Sequence, residues 1–200
     1  METLLKQNFT AHYNLPISTI NNISKQTSAQ YFEIEDDSNR ETQIYNSQNN
    51  GTAIYRNPSQ KVVYVINYDK FITSLDTNFQ RGRKRCDLIV YTQNTRDYFL
   101  LNELKDANPA KGRKKAKSQL VASLKDLMSV SSIKQFADYF NEKRCCIFNK
   151  RINAPQSITA VKAFGRVNII SLSGLKMANS DIESYGFSLY EYSGGQIFTL

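Results

Sequence analysis

The stretch CDLIVYTQNTRDYFLLNELKD, residues 86–106, decides the fold. It holds two runs rich in β-branched, aromatic and leucine residues, CDLIVYT at 86–92 and YFLLNELK at 98–105. Gln93–Asp97 join them, a length suited to an antiparallel hairpin. Side chains alternate along a strand, so Glu103 and Lys105 point to one face. Asp87 heads the first strand, and pairing the two strands brings its carboxylate beside Glu103. Two carboxylates and one ammonium then gather at one edge of a sheet. The plainer alternative is a solvated cross-strand charge cluster, worth little energetically. The apolar run on both strands argues against that alternative.

Outward from this hairpin, the strongest strand signal upstream is KVVYVINY at 61–68. Downstream, Asn108-Pro109 is a helix start, with Asn as cap and Pro at the first helical position. The helix runs to about Met128 on the stripe Ala116, Leu120, Leu124 and Leu127. A second helix is predicted around 132–141, with Ile133, Phe136, Ala137 and Phe140, followed by a strand, RCCIFNK, at 144–150. Near the N-terminus, Ile17, Ile20 and Ile23 predict a short helix over 16–28. Strands are predicted over 30–35 and within 42–56, separated by the polar clusters Asp36–Asn39 and Ser47–Gly51. Further strands are predicted at 166–172, 186–192 and 196–200, the last two flanking Ser193-Gly194-Gly195 as a tight hairpin. The expectation is one α/β domain over residues 1–200, of α+β type with a mixed sheet.

Composition narrows the class. The 200 residues are 40% hydrophobic and 12% aromatic, enough for a packed core. The net charge of +8 suggests an anionic partner such as nucleic acid. Cys86, Cys145 and Cys146 form no disulfide framework and no zinc spacing, and His12 is the only histidine. The cysteines read as small core residues in a reducing compartment. No apolar stretch reaches ~20 residues, so no membrane span and a cytoplasmic setting are expected. A Ser or Cys nucleophile lacks a plausible histidine base.

Phosphodiester hydrolysis suits the charged cluster. Two adjacent carboxylates repel unless a cation joins them. Mg²⁺ (or Mn²⁺) takes oxygen ligands, and such an ion lowers the pKa of a bound water and stabilises charge on a phosphate. Asp87 and Glu103 are the expected metal ligands, with the Leu104 carbonyl as a third. Lys105 would orient the attacking water or stabilise developing negative charge.

Asp87 at the head of one strand, and Glu103-Leu104-Lys105 at the end of the next, resemble the signature of the PD-(D/E)XK nuclease superfamily, the restriction-endonuclease-like fold. The resemblance covers roughly residues 60–150. It implies a core of helix, three strands, helix and strand, with an N-terminal extension over 1–59 and a strand-rich C-terminal extension over 151–200. Many members carry a Gln on the helix after the motif, and Gln119 fits that place. Cys86 stands where the family often has Pro.

Two basic runs accompany the motif. KGRKKAK at 111–117 lies at the N-terminal end of the long predicted helix, where positive charge opposes the helix dipole and calls for a reason. A phosphate backbone supplies one. RGRKR at 81–85 enters the strand bearing Asp87. Lys84, Arg85, Lys111, Arg113, Lys114, Lys115 and Lys117 are the expected nucleic-acid contacts. Tyr64, Tyr91 and Tyr98 could stack on bases, although strand aromatics are more often core. The resulting expectation is a Mg²⁺-dependent endonuclease acting on DNA, with RNA possible. A homodimer or a partner protein would engage the terminal extensions. The alternatives are a non-catalytic nucleic-acid-binding or interaction module on the same fold, or an RNA nuclease or toxin.

Overall fold

The structure, a computed structural model, describes residues 1–36, 41–48, 51–106, 109–150 and 174–200, without the side chains of 109–111. The chain opens with helix α1, Leu4–Phe9 continuing as Thr10–His12. Strands β1 (Ser24–Thr27), β2 (Tyr31–Asp36), β3 (Thr42–Tyr45), β4 (Ala53–Arg56) and β5 (Val63–Asn67) follow. Next come α2 (Tyr68–Thr73), α3 (Thr77–Gln80), β6 (Leu88–Thr92) and β7 (Tyr98–Lys105). Helices α4 (Pro109–Met128) and α5 (Ser131–Asp138) lead to β8 (Glu142–Asn149). The tail holds β9 (Leu175–Met177), a short helix Ser180–Glu183, β10 (Ser188–Ser193) and β11 (Ile197–Thr199).

Two sheets form. The larger has seven strands in the order β1-β5-β6-β7-β8-β10-β9, and the smaller has four in the order β11-β4-β2-β3. In the larger sheet β5, β6 and β7 run antiparallel; α4 and α5 then carry the chain across to β8, parallel to β7. β10 adds a second parallel neighbour beyond β8. The fold is therefore mixed α/β, as the alternating strand and helix signals predict.

Both faces of the large sheet are covered, which explains why every residue of β6 is buried. One face packs under α1, α2, α4 and α5, through residues such as Leu5, Phe71, Ile89, Leu101, Leu120, Leu124 and Ile133. The other packs on the small sheet, through Phe32, Tyr55, Val90, Leu100, Phe148 and Phe198. The predicted stripe Ala116, Leu120, Leu124 and Leu127 is fully buried. Truncating any one of these leucines would cost about 2–5 kcal/mol in lost transfer energy and cavity formation.

Two expectations are corrected. The region 16–28 is not a helix. Ser24–Thr27 pair with β5 as an edge strand, and Ile17 is 67% exposed. Three isoleucines at helical spacing lost to edge pairing with a strong β-branched neighbour. The N-terminal helix lies earlier, on the i, i+4 pair Leu5 and Phe9, both buried. Nor do 186–192 and 196–200 form a hairpin. Gly194 and Gly195 both take positive φ and pass the chain from one sheet to the other, where β11 pairs in parallel with β4. The capping role read for Asn108 and the strand read over 166–172 lie outside the described residues. The cysteines are buried and free, as their core reading expects. Among the described residues, no helix is long and apolar enough to cross a membrane.

Candidate active site

The β6–β7 register pairs Leu88 with Asn102, which sets Asp87 opposite Glu103 at the next step. Leu101, two residues before Glu103, packs under the helices, so Glu103 points to the same helical layer. Asp87 is tied down by its backbone. Its N–H donates to the Asn102 carbonyl at 3.1 Å, and its carbonyl accepts from the Tyr68 and Asp69 N–H groups at the start of α2. Its carboxylate Oδ2 accepts from the Leu104 N–H at 2.6 Å. The strand end thus fixes the carboxylate through a backbone N–H.

Glu103 is 0% exposed. Its Oε1 accepts from Lys105 Nζ, and its Oε2 has no hydrogen-bond partner among the described residues. Lys105 Nζ also donates to Gln119 Oε1 at 3.3 Å, and Gln119 Nε2 donates to the Arg85 carbonyl at 2.8 Å. All four residues singled out for chemistry therefore converge. Gln119 sits one turn along α4 from Ala116 and one position before Leu120, so it leans from the apolar stripe toward β6 and β7.

This grouping is not a solvated charge cluster. Burial pushes the Asp87 carboxyl up to about 7, partly offset by the Leu104 N–H and the Lys105 charge. Burial pushes Glu103 up to about 9, reinforced by the Asp87 charge and opposed by Lys105. Lys105 touches Glu103 directly, yet burial outweighs it. Asp69 adds negative potential at both carboxyls, and Asp36 adds it at Asp87. A divalent cation would offset desolvation and mutual repulsion together.

The orphaned Oε2 of Glu103 and the adjacent Asp87 carboxylate are hard oxygen donors that fit Mg²⁺ or Mn²⁺. Among the described residues, no group of three or more His, Cys, Asp or Glu side chains converges to hold a metal. The protein's own ligands would be Asp87 and Glu103, with the Leu104 carbonyl as the expected third. Water and substrate oxygens would complete the shell, as is common for Mg²⁺.

The basic residues divide. Lys84, Lys114 and Lys115 are exposed and Lys117 is half-buried. Arg85 is committed inward: it pairs with Asp69 and donates to Thr73 Oγ1 at 2.9 Å. Arg113 pairs with Glu191 at 2.7 Å. The Lys111 side chain lies outside the described residues. The tyrosines are packing elements. Tyr64 and Tyr91 stack on each other at 5.3 Å, and Tyr98 sets its edge against Phe198. Glu191 is a site neighbour that the sequence reading did not single out. Its one legible signal is a carboxylate two residues after Leu189 on a strand that reads as core.

Comparisons with protein-family models, with curated proteins and with solved structures returned no significant match.

Proposed function

We propose that this chain is a metal-dependent nuclease that hydrolyses phosphodiester bonds of DNA, acting as an endonuclease. The carrying observation is the fully buried Glu103, with one unpartnered oxygen, set beside Asp87 and held by Lys105. A buried carboxylate left half-satisfied is costly, and proteins keep such groups where function uses them. The order of three antiparallel strands, helical crossover and parallel strand supports the resemblance to the PD-(D/E)XK superfamily.

A bound Mg²⁺ or Mn²⁺ would supply water activation and charge stabilisation at the phosphate. The chain's own residues do the rest. The Leu104 N–H orients Asp87. Lys105 delivers a positive charge at the point where negative charge grows on the phosphate. Gln119 links that ammonium to the Arg85 backbone and so limits its wandering. The exposed Lys114 and Lys115 near the start of α4 give the substrate backbone a sequence-independent attraction.

The test is cleavage of plasmid, single-stranded DNA and RNA with Mg²⁺ or Mn²⁺, comparing wild type with Glu103→Ala. Cleavage that disappears in the variant and in EDTA supports the reading, and substrate preference separates DNA from RNA. Binding that survives EDTA, with no cleavage under any divalent ion, would instead make the chain a binding module.

A further inference from the structure

Strand β10 carries a buried carboxylate on the same sheet face as Glu103 that the chemistry above does not use. Glu191 on β10 aligns with Ile147 on β8, and Ile147 aligns with Glu103 on β7. Leu189 and Leu101, each two residues away on the same strand, pack in the helical layer, so both glutamates face that layer. They lie on one row of the sheet, two strand spacings or roughly 10 Å apart.

Glu191 is 3% exposed. Its Oε2 accepts from Arg113 Nε, and among the described residues Glu191 is the one hydrogen-bond partner of the Arg113 side chain. The Arg113 side chain is 37% exposed. A guanidinium held through Nε keeps its other edge, the two terminal NH₂ groups, available as a fork for a second anion. Packing alone gives little reason for a carboxylate at the buried 191 position, because an apolar residue of similar volume often serves such a position as well. The pair also fixes a positive charge near the start of α4, where the helix dipole disfavours it.

We propose that Arg113, positioned by Glu191, forms a phosphate subsite for the polynucleotide strand beside the Asp87–Glu103 centre. This rests on the nucleic-acid reading above and gives Arg113, one of its expected contacts, a positioning partner and a place beside the centre. It also gives β10 a role: the strand fixes the residue that seats a phosphate beyond the one at Glu103.

The experiment is fluorescence anisotropy of labelled single-stranded DNA, duplex DNA and RNA oligonucleotides in EDTA, across a salt series, with thermal unfolding of each variant alongside. Arg113→Ala should weaken binding about tenfold. It should also reduce the salt slope by about 0.7 on single strands or about 0.9 on duplex. Arg113→Lys, a conservative variant, should recover the slope but not the full affinity, because lysine lacks the fork. Glu191→Gln should keep the slope and lose affinity, since the charge remains but is no longer fixed. Unchanged affinity in Glu191→Gln would remove its positioning role. Wild-type affinity and slope in Arg113→Ala would overturn the subsite, even if that variant unfolded at a lower temperature. So would a wild type that binds none of the three oligonucleotides. Binding in EDTA is independent of turnover. Cleavage with a silent Arg113 therefore sinks this inference alone, and an Arg113 effect without cleavage sinks the nuclease reading alone.

Discussion

Two buried glutamates, one in each sheet, have opposite surroundings. Glu33 on β2 is 2% exposed, and both its oxygens are engaged: Oε1 by the Tyr31 hydroxyl, Oε2 by the Gly51 N–H at 2.5 Å. Glu103 on β7 is 0% exposed and has one oxygen with no partner among the described residues, with a second carboxylate alongside. Burial is shared; satisfaction is not. The first carboxylate closes a loop onto a strand and belongs to the architecture. The second faces another carboxylate and keeps one oxygen unpartnered even with Lys105 on the other, an arrangement that folding alone would not favour. The contrast teaches that burial of a charge is a weak functional signal, and that the bonds left unmade around it are a stronger one.

The comparison breaks most visibly in turnover. Glu103→Gln should lower metal-dependent cleavage by about a thousandfold or more, since it removes a ligand and the group that holds Lys105. Glu33→Gln, assayed well below its unfolding temperature, should leave kcat within about twofold. Equal losses in both variants would erase the distinction.

Stability should move in opposite directions. At pH 8 in EDTA, urea unfolding should find Glu103→Gln more stable than wild type by about 1–3 kcal/mol, because the Glu103 carboxyl, ionised in the unfolded chain and titrating at about 9 when folded, must take up a proton to fold and glutamine need not. Glu33→Gln should be less stable by about 1–3 kcal/mol, because a charge-assisted acceptor of two hydrogen bonds is lost. Gly51→Ala should destabilise similarly: its Cβ would lie 2.5 Å from the Glu33 Cβ.

The pH dependence sharpens the same point. In the unfolded chain both site carboxyls titrate near pH 4. In the folded chain Asp87 titrates at about 7 and Glu103 at about 9. Between those values the folded state binds more protons than the unfolded state, so stability falls as pH rises. In EDTA the melting temperature should therefore decline from pH 5 to pH 9. Glu103→Gln should flatten the part above pH 7. A wild-type profile that rises over this range would contradict the burial argument.

The smallest effect is expected at Gln119. Gln119→Ala should reduce kcat by about tenfold with little change in KM, because it loosens Lys105 without touching substrate. A larger change in KM than in kcat would mean that Gln119 contacts substrate.

Much of this site was legible in the sequence, because it depends on local rules. Alternation placed Glu103 and Lys105 on one face, and the length of the 93–97 link fixed the hairpin that sets Asp87 beside them. The burial of α4 followed from its periodicity. What escaped was set by partners distant in the chain. Ser24–Thr27 became a strand only because β5 offers a free edge. The Gly194-Gly195 turn looks like a hairpin until β4 captures the segment after it. Arg85 and Arg113 read as free cations, yet each meets a carboxylate, at 69 and 191, that no local pattern connects to it. The orphaned oxygen of Glu103 is likewise a tertiary fact, since it depends on what does not approach.

The most direct test of the account is calorimetric titration of Mn²⁺ into the metal-free protein at pH 7.5, in buffers of different ionisation enthalpy, for wild type and Asp87→Asn. Cation binding demands the carboxylate forms, and Glu103 titrates at about 9. Wild type should therefore bind the ion with release of about one proton, and Asp87→Asn should bind far more weakly. Binding without proton release, or equal binding by the two proteins, would contradict the claim that Asp87 and Glu103 form a built cation site.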